Sequence, residues 1–372
     1  MIKKIIWYPY WIHLLSNLNT AHQQIAVREG AIIEIYTDDG AAGVGEIAPL
    51  PEFTGSTMQD ILPLLPYVAE YLQNKTLSDA LSILHDNFNT IASSARYGIE
   101  TALLDAQGKY EGLSLSSFLA QPSSLNRNGQ VVRSAVAVNT VIGTMSIDAT
   151  VERAHEAVAT GFRCIKLKMG REPEIEVGRV KAVRAAVGPS IDLRLDANEG
   201  WTRAQAGSIL TRCADFDIQY VEQPLSRNDL EGMRALRRRV SIPIAVDEAL
   251  SDFASAQRVL AAEAADIFII KPQLSGGLYN AQRMLQLANE HELRSVITSS
   301  IETGIGVAAA LHLAASSPEV TLACGLGTLP MLENDLISGA LPIYRGRIQV
   351  PDGPGLGVAL DRAALAIYST IS

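Results

Sequence analysis

Cys164-Ile-Lys-Leu-Lys168 opens a stretch that decides the fold. It is followed by Leu193-Arg-Leu-Asp-Ala-Asn198, Tyr220-Val-Glu-Gln-Pro224, Ile244-Ala-Val-Asp-Glu248 and Ile267-Phe-Ile-Ile-Lys271. Each segment is a short aliphatic run that ends in charge and leads into a helix-like stretch. From Lys168 the steps to Asp196, Glu222, Asp247 and Lys271 are 28, 26, 25 and 24 residues. That spacing fits one strand, one helix and two loops per unit. A lone charge after an apolar run can simply mark a strand reaching solvent. Five in series at the same strand end point instead to the catalytic face of a TIM-type barrel.

Working outward, Val136–Thr140 reads as the first barrel strand, which makes 164–168 the second and 267–271 the sixth. The two lysine strands then lie opposite each other in an eight-membered ring, with three carboxylate strands on the arc between them. Residues two apart on a strand share a face, so Lys166 and Lys168 both point inward, as do Arg194 and Asp196. Asp196, Glu222 and Asp247 converging alone would repel one another. A hard divalent cation with oxygen ligands removes that repulsion, so the expected ion is Mg2+, with Mn2+ as the substitute. No His or Cys stands at these stations, which argues against zinc. Asn198 and Glu248 follow ligand positions and are expected to orient the ligands. Arg194 is expected one layer deeper, paired with a carboxylate there or held in a structural ion pair.

The barrel rhythm begins near Ser134 and runs to about Leu326. Arg294–Thr298 and Thr321–Cys324 are the expected seventh and eighth strands. The first leads into Ser299-Ser-Ile-Glu-Thr-Gly-Ile-Gly306, the second into Gly325-Leu-Gly-Thr328. Ser299, Ser300, Gly325 and Leu326 are therefore candidate substrate contacts, through hydroxyls and close-lying backbone amides; plain helix capping is the alternative.

Before the barrel, residues 1–14 and 30–47 read as strands of an antiparallel sheet, with Asp39-Gly40 as a hairpin turn. Ser16–Gln24 reads as a polar loop. The stiff segment Ala48–Ser56, with Phe53 near its tip, is placed to close over the barrel mouth. Residues 57–120 look helical, and the Ser- and Asn-rich segment Pro122–Gln130 marks a domain boundary. Past Pro330, Ile343–Val350 is expected to return as a strand to the first domain.

Composition narrows the partners. With 40 acidic residues against 31 basic, the formal charge is -9 and the pI near 5.3. No basic cluster with interleaved aromatics suggests nucleic acid, so a small-molecule carboxylate is the expected partner. No apolar run of 18 residues suggests a membrane span. The segment after Lys3-Lys4 reads as a strand rather than a signal peptide, since Pro9 and His13 interrupt it. Cys164, Cys213 and Cys324 are expected as buried free thiols in a reducing, cytoplasmic compartment.

Taken together, Lys166-Leu-Lys168, Asp196-x-Asn198, Glu222-Gln-Pro224, Asp247-Glu248 and Lys271, with Gly45-Glu-Ile-Ala-Pro-Leu-Pro51 and Gly353-Pro-Gly-Leu-Gly357, resemble the muconate-lactonizing subgroup of the enolase superfamily. Within it, Ala48–Ser56, the Ser299-Ser300 run and Gly325-Leu-Gly-Thr328 are most similar to the o-succinylbenzoate synthases. The resemblance implies an α/β fold: a modified (β/α)7β TIM barrel over residues 131–328 and an α+β capping domain over 1–125, completed by 329–372. It also implies a hydro-lyase that dehydrates a cyclohexadiene carboxylate through an enediolate in menaquinone or phylloquinone biosynthesis. Lys168 would be the base, its neutral form favoured by Lys166 and the metal, and would return the proton to the departing hydroxyl. Lys271 would stay charged and stabilise the developing negative charge.

The rival expectations use the same lysine pair. Dipeptide epimerases carry Asp-x-Asp at the end of the eighth strand, where this chain has Gly325-Leu-Gly-Thr328. Racemisation of N-succinylamino acids stays open, a cycloisomerase comes third, and a metal-stabilised binding protein is remote. None of His13, His22, His85, His155, His291 and His312 falls at a barrel strand end, unlike the mandelate-racemase branch.

Overall fold

A computed structural model describes residues 1–19, 24–121 and 132–369. Strands β1 (Ile2–Asn19), β2 (Gln24–Thr37) and β3 (Ala42–Ile47) form an antiparallel sheet in sequence order. Asp39-Gly40 makes the expected turn, with Gly40 at φ 89°, in the region that favours glycine. The first two strands run further than expected. Ser16–Asn19 continues β1, and Leu18 pairs with Ile25 beyond a register shift after His13. Cross-strand pairing thus overrides the local polar composition. The boundary segment Pro122–Gln130 lies outside the described residues.

Helices at Met58–Ile61, Leu65–Leu72, Leu77–Asn87 and Ser93–Glu111 cover one face of this sheet. The long helix lies almost in contact with β3 because Gly43 and Gly45 have no side chain. A Cβ at either would stand 1.9 Å from a helix carbonyl oxygen, that of Ala102 or Gly98. Ile33, Ile35, Ile47, Ile99 and Leu103 form the core between them.

The second unit begins with β4 (Ala135–Ala137) and β5 (Thr140–Ile142). It continues through β6 (Cys164–Lys168), β7 (Asp192–Asp196), β8 (Ile218–Glu222), β9 (Ile244–Val246), β10 (Ile267–Ile270) and β11 (Arg294–Ile297). From β5 to β11 these are seven parallel strands in sequence order. The eighth position is not a full strand. Cys324 bridges Val138 and Gly325 bridges Thr298, with Cys324 N donating to Ala137 O at 2.7 Å and Ser299 N to Gly325 O at 3.0 Å. Those few bonds complete the ring, giving a (β/α)7β barrel with an α+β cap. Helices alternate with the strands, and the apolar helix Gly304–Ser316 is buried along its length.

The C-terminal segment corrects one expectation. Strand β13 (Arg347–Gln349) pairs with β4, just before the first barrel strand, and β12 (Ile343–Tyr344) with β13; neither joins the first sheet. Contact with the cap is made elsewhere, by Leu14 bridging Leu332 and by Arg362 on Glu34 at 3.0 Å. Alternation along 343–350 marks a strand but does not name its neighbour.

Three buried acids from the cap-side elements dock the two units. Glu46 accepts from Tyr10 Oη (2.5 Å), Thr303 N (2.8 Å), Thr303 Oγ1 (2.7 Å) and Gly306 N (2.8 Å), at the start of helix Gly304–Ser316. Glu100 receives Leu278 N at the start of helix Leu278–Glu290. Asp105 takes Val44 N at 2.8 Å and Leu356 N at 2.7 Å.

Candidate active site

Parallel pairing without offset at the strand ends assembles the charged cluster. Lys168 is opposite Asp196 and Asp196 is opposite Glu222, so their side chains share one layer at the barrel mouth. Lys166 Nζ lies 2.9 Å from both Asp196 and Glu222. Lys168 Nζ donates to Asp196 Oδ2 at 2.7 Å and to Asn198 Oδ1 at 2.6 Å. At the end of β10, opposite Lys168 in the ring, Lys271 Nζ meets both oxygens of Asp247 from the neighbouring β9, one at 2.5 Å. Asn198 Nδ2 donates to Glu248 Oε1 at 3.1 Å, and Glu248 Oε2 is buried with no partner.

Burial and crowding set the protonation. Burial raises the Glu222 carboxyl, the charge on Asp196 adds to it, and the pKa is pushed up to about 7. Burial, then Asp247, pushes Glu248 up to about 8. Burial opposes the charge on Asp196 too, but Lys166 and Lys168 overcome it and hold its carboxyl below the usual range. For Lys166, burial favours the neutral amine, yet Asp196 and Glu222 outweigh it and keep the ammonium charged. Lys271 is held the same way, its burial outweighed by Asp247 and Glu248.

As they lie, the acids do not close into a ready cage among the described residues; Lys166 stands between Asp196 and Glu222, and Lys271 holds Asp247. The donor set nevertheless fits a hard divalent cation. It offers carboxylate oxygens on three adjacent strands, two carboxyls whose protons such an ion would displace, and one unpartnered carboxylate oxygen close behind.

The remaining expected residues divide. Phe53 reaches the site from the cap: its short helix Pro51–Thr54 brings the ring to 4.2 Å from Lys271 Nζ. Ser299 Oγ is engaged within its own loop, donating to Glu302 at 2.5 Å and receiving Ile301 N at 2.8 Å and Thr328 Oγ1 at 2.9 Å. Ser300 Oγ is buried without a partner. Gly325 sits against Thr298, and a Cβ there would stand 2.2 Å from Thr298 Oγ1. Leu326 has its side chain fully buried in the hydrophobic core, so the contact expected of it falls to its backbone.

Arg194 is a second correction, because it meets no carboxylate. Its guanidinium donates to Gln219 Oε1 (2.7 Å), Asn139 Oδ1 (3.1 Å) and Ala323 O (2.8 Å), and lies over the Tyr220 ring. Arg194 thereby ties the closing segment of the barrel to its third strand.

Sequence reading missed Gln223, whose Oε1 accepts Asp247 N at 3.0 Å and Ala249 N at 3.2 Å and so aims the Asp247 loop. It also missed Arg28 and Arg227, which hold loops at the mouth. Position after Glu222 was the one available signal for Gln223. Arg28 and Arg227 carry none, since their partners lie in distant parts of the chain.

Comparison with known proteins adds the following. Residues 149–364 match the enolase C-terminal domain-like family, and residues 2–105 match the MenC N-terminal domain. The L-Ala-D/L-Glu epimerase of Bacillus subtilis is 29% identical over 93% of this chain and 93% of its own. The o-succinylbenzoate synthase of Thermobifida fusca is 36% identical over 63% of this chain and 74% of its own. The solved dipeptide epimerase of Enterococcus faecalis V583, complexed with Mg and L-Leu-L-Tyr, superposes with a TM-score of 0.88 at 29% identity, covering 96% of this chain and 99% of that one.

Proposed function

We propose, from the premise that the chain belongs to the enolase superfamily, that it is an o-succinylbenzoate synthase. It would dehydrate 2-succinyl-6-hydroxy-2,4-cyclohexadiene-1-carboxylate to 2-succinylbenzoate, a step of menaquinone or phylloquinone biosynthesis. The match of residues 2–105 to the MenC N-terminal domain supports this reading. So does the similarity to the Thermobifida enzyme. The observation that carries it over the epimerase alternative is the closing strand. A dipeptide brings an α-ammonium that needs an acid, and Gly325-Leu-Gly-Thr328 offers none; the nearby Glu302 is enclosed by Ser299, Ser300 and Gln273.

Asp196, Glu222 and Asp247 would hold Mg2+, or Mn2+ in its place, which when bound supplies positive charge to the substrate carboxylate. Lys168, in its amine form, accepts the α-proton. Asn198 and Asp196 hold that nitrogen in place through the bonds described above. Lys166, kept charged, compensates the acids. The same Lys168 nitrogen then returns its proton to the leaving hydroxyl, which departs as water, so one group serves as base and acid. Lys271 stays an ammonium on the opposite side and offsets the negative charge that develops. Phe53 shields it from solvent.

Racemisation is the second reading, favoured by the similarity to the Bacillus epimerase over nearly its whole length. It uses the same lysines, one on each face of the α-carbon. Incubation of the purified protein with Mg2+ and the cyclohexadiene carboxylate separates the two. Metal-dependent loss of the diene absorbance supports the dehydratase. No turnover of the diene, together with α-proton exchange of dipeptides or N-succinylamino acids in D2O, overturns it.

A further inference from the structure

The loop that carries Phe53 is gripped at two points by arginines with no part in the scheme above. Arg28, 3% exposed, holds its start: Nη2 donates to Ala48 O and Nη1 to Pro49 O, both at 2.8 Å, while Nε reaches Ile301 O at 3.0 Å. Arg227, from the loop after β8, holds its middle. The guanidinium lies 5.8 Å from the Phe53 ring centre and makes a long 3.5 Å contact to Glu52 O.

Arg227 is itself fixed on Glu199. Its backbone N donates to Glu199 Oε1 at 2.6 Å, Nη2 to Oε2 at 2.6 Å, and Nε to both oxygens at 3.1 Å. A side chain with that forked geometry is ordered, unlike a typical exposed ion pair; the two side chains are 25% and 7% exposed. Glu199 directly follows Asn198, the residue that receives Lys168, and both have positive φ, 62° and 42°. Holding non-glycine residues there costs energy, so the surrounding contacts must impose it. Glu199 N donating to Gln223 O at 2.8 Å is one such contact, and the Arg227 pair is another.

The contacts therefore run from the Phe53 loop through Arg227 and Glu199 to Asn198 and Lys168. We propose that Arg227 is a positioning residue: its pair with Glu199 latches the Ala48–Ser56 loop to the end of β7, so that closing the loop sets Phe53 over Lys271 and steadies Asn198 together. The effect on turnover rests on the reading that Lys168 and Lys271 face the substrate; the latch itself does not.

Amide hydrogen exchange of the full-length protein, with kinetics, tests this in Arg227→Gln, Glu199→Gln and the double variant. Phe53 N, Thr54 N and Gly55 N are hydrogen-bonded within the loop and report its opening. Exchange at 53–55 is expected to speed about tenfold in each single variant and no further in the double, because both remove one interaction. Exchange in 193–196 and 218–222 is expected to stay as in the parent. KM should rise about tenfold, with a smaller change in kcat. Unchanged exchange at 53–55, additive effects in the double variant, or loosening spread through β7 and β8 would each overturn the latch. A parent protein that does not turn over the diene counts against the substrate reading alone, and the exchange results still decide the latch.

Discussion

Two sets of buried carboxylates do opposite work. Glu46, Glu100 and Asp105, at the junction of cap and barrel, are met largely by backbone N–H groups, several of them at helix N-termini. Asp196, Glu222 and Asp247, at the barrel mouth, are met by lysine ammonium groups on flexible side chains. At Glu46 and Glu100 a backbone donor cannot leave without unwinding its helix, and Asp105, which also takes Lys109 Nζ at 2.7 Å, is held by the backbone of Val44 and Leu356, so the first set is structural. A lysine can swing away, lose its proton or be replaced by a metal ion, so the second set can exchange partners. Acids of one chemical type become a fixed clamp or an exchangeable cluster according to what donates to them.

The sharpest way to break this contrast is to remove the mobile donors. Lys168→Ala and Lys271→Ala should each lower diene turnover by roughly a thousandfold or more, with the far-ultraviolet circular dichroism unchanged. Retained turnover in Lys168→Ala would take that residue out of its role. Next comes metal uptake. Glu222 is raised to about 7, so below that pH it carries a proton that the ion must displace. Mg2+ affinity, read by calorimetry in buffers of different ionisation enthalpy, should fall as pH drops from 8 to 6, with proton release on binding.

The clamp set should respond in stability instead. Glu46→Gln keeps the shape but loses charge-assisted bonds to Thr303 and Gly306, and should cost about 2–4 kcal/mol in urea unfolding. The smallest effect concerns His312, buried in helix Gly304–Ser316. Its Nδ1 accepts Ser116 N at 3.1 Å, and its other nitrogen faces Leu356 O at 3.0 Å. Burial lowers its pKa to about 4. The unfolded chain, near 6.5, binds the proton more readily. His312 thus contributes full stability above about 6.5, and that stability is lost as pH falls toward 4, by up to about 3 kcal/mol. His312→Gln should flatten this part of the stability–pH curve.

Much of the fold was legible because it is local. The Asp39-Gly40 turn and the repeat from Lys168 to Lys271 depend on residues close in sequence. The place of Lys168, Asp196 and Glu222 in one layer also followed, since register in a parallel ring converts even spacing into adjacency. Where neighbours were not local the reading failed. Ile343–Val350 reads as a strand wherever it pairs.

What the sequence determined alone is the repeating unit and the charge at its strand ends, because periodicity and spacing are properties of the chain itself. Tertiary structure decided which groups satisfy those charges: lysines for Asp196 and Asp247, helix amides for Glu46, two side-chain amides and a backbone carbonyl for Arg194. Hydrogen bonding acts over about 3 Å between atoms that can be hundreds of residues apart, so the partner of a buried charge is a fact of packing.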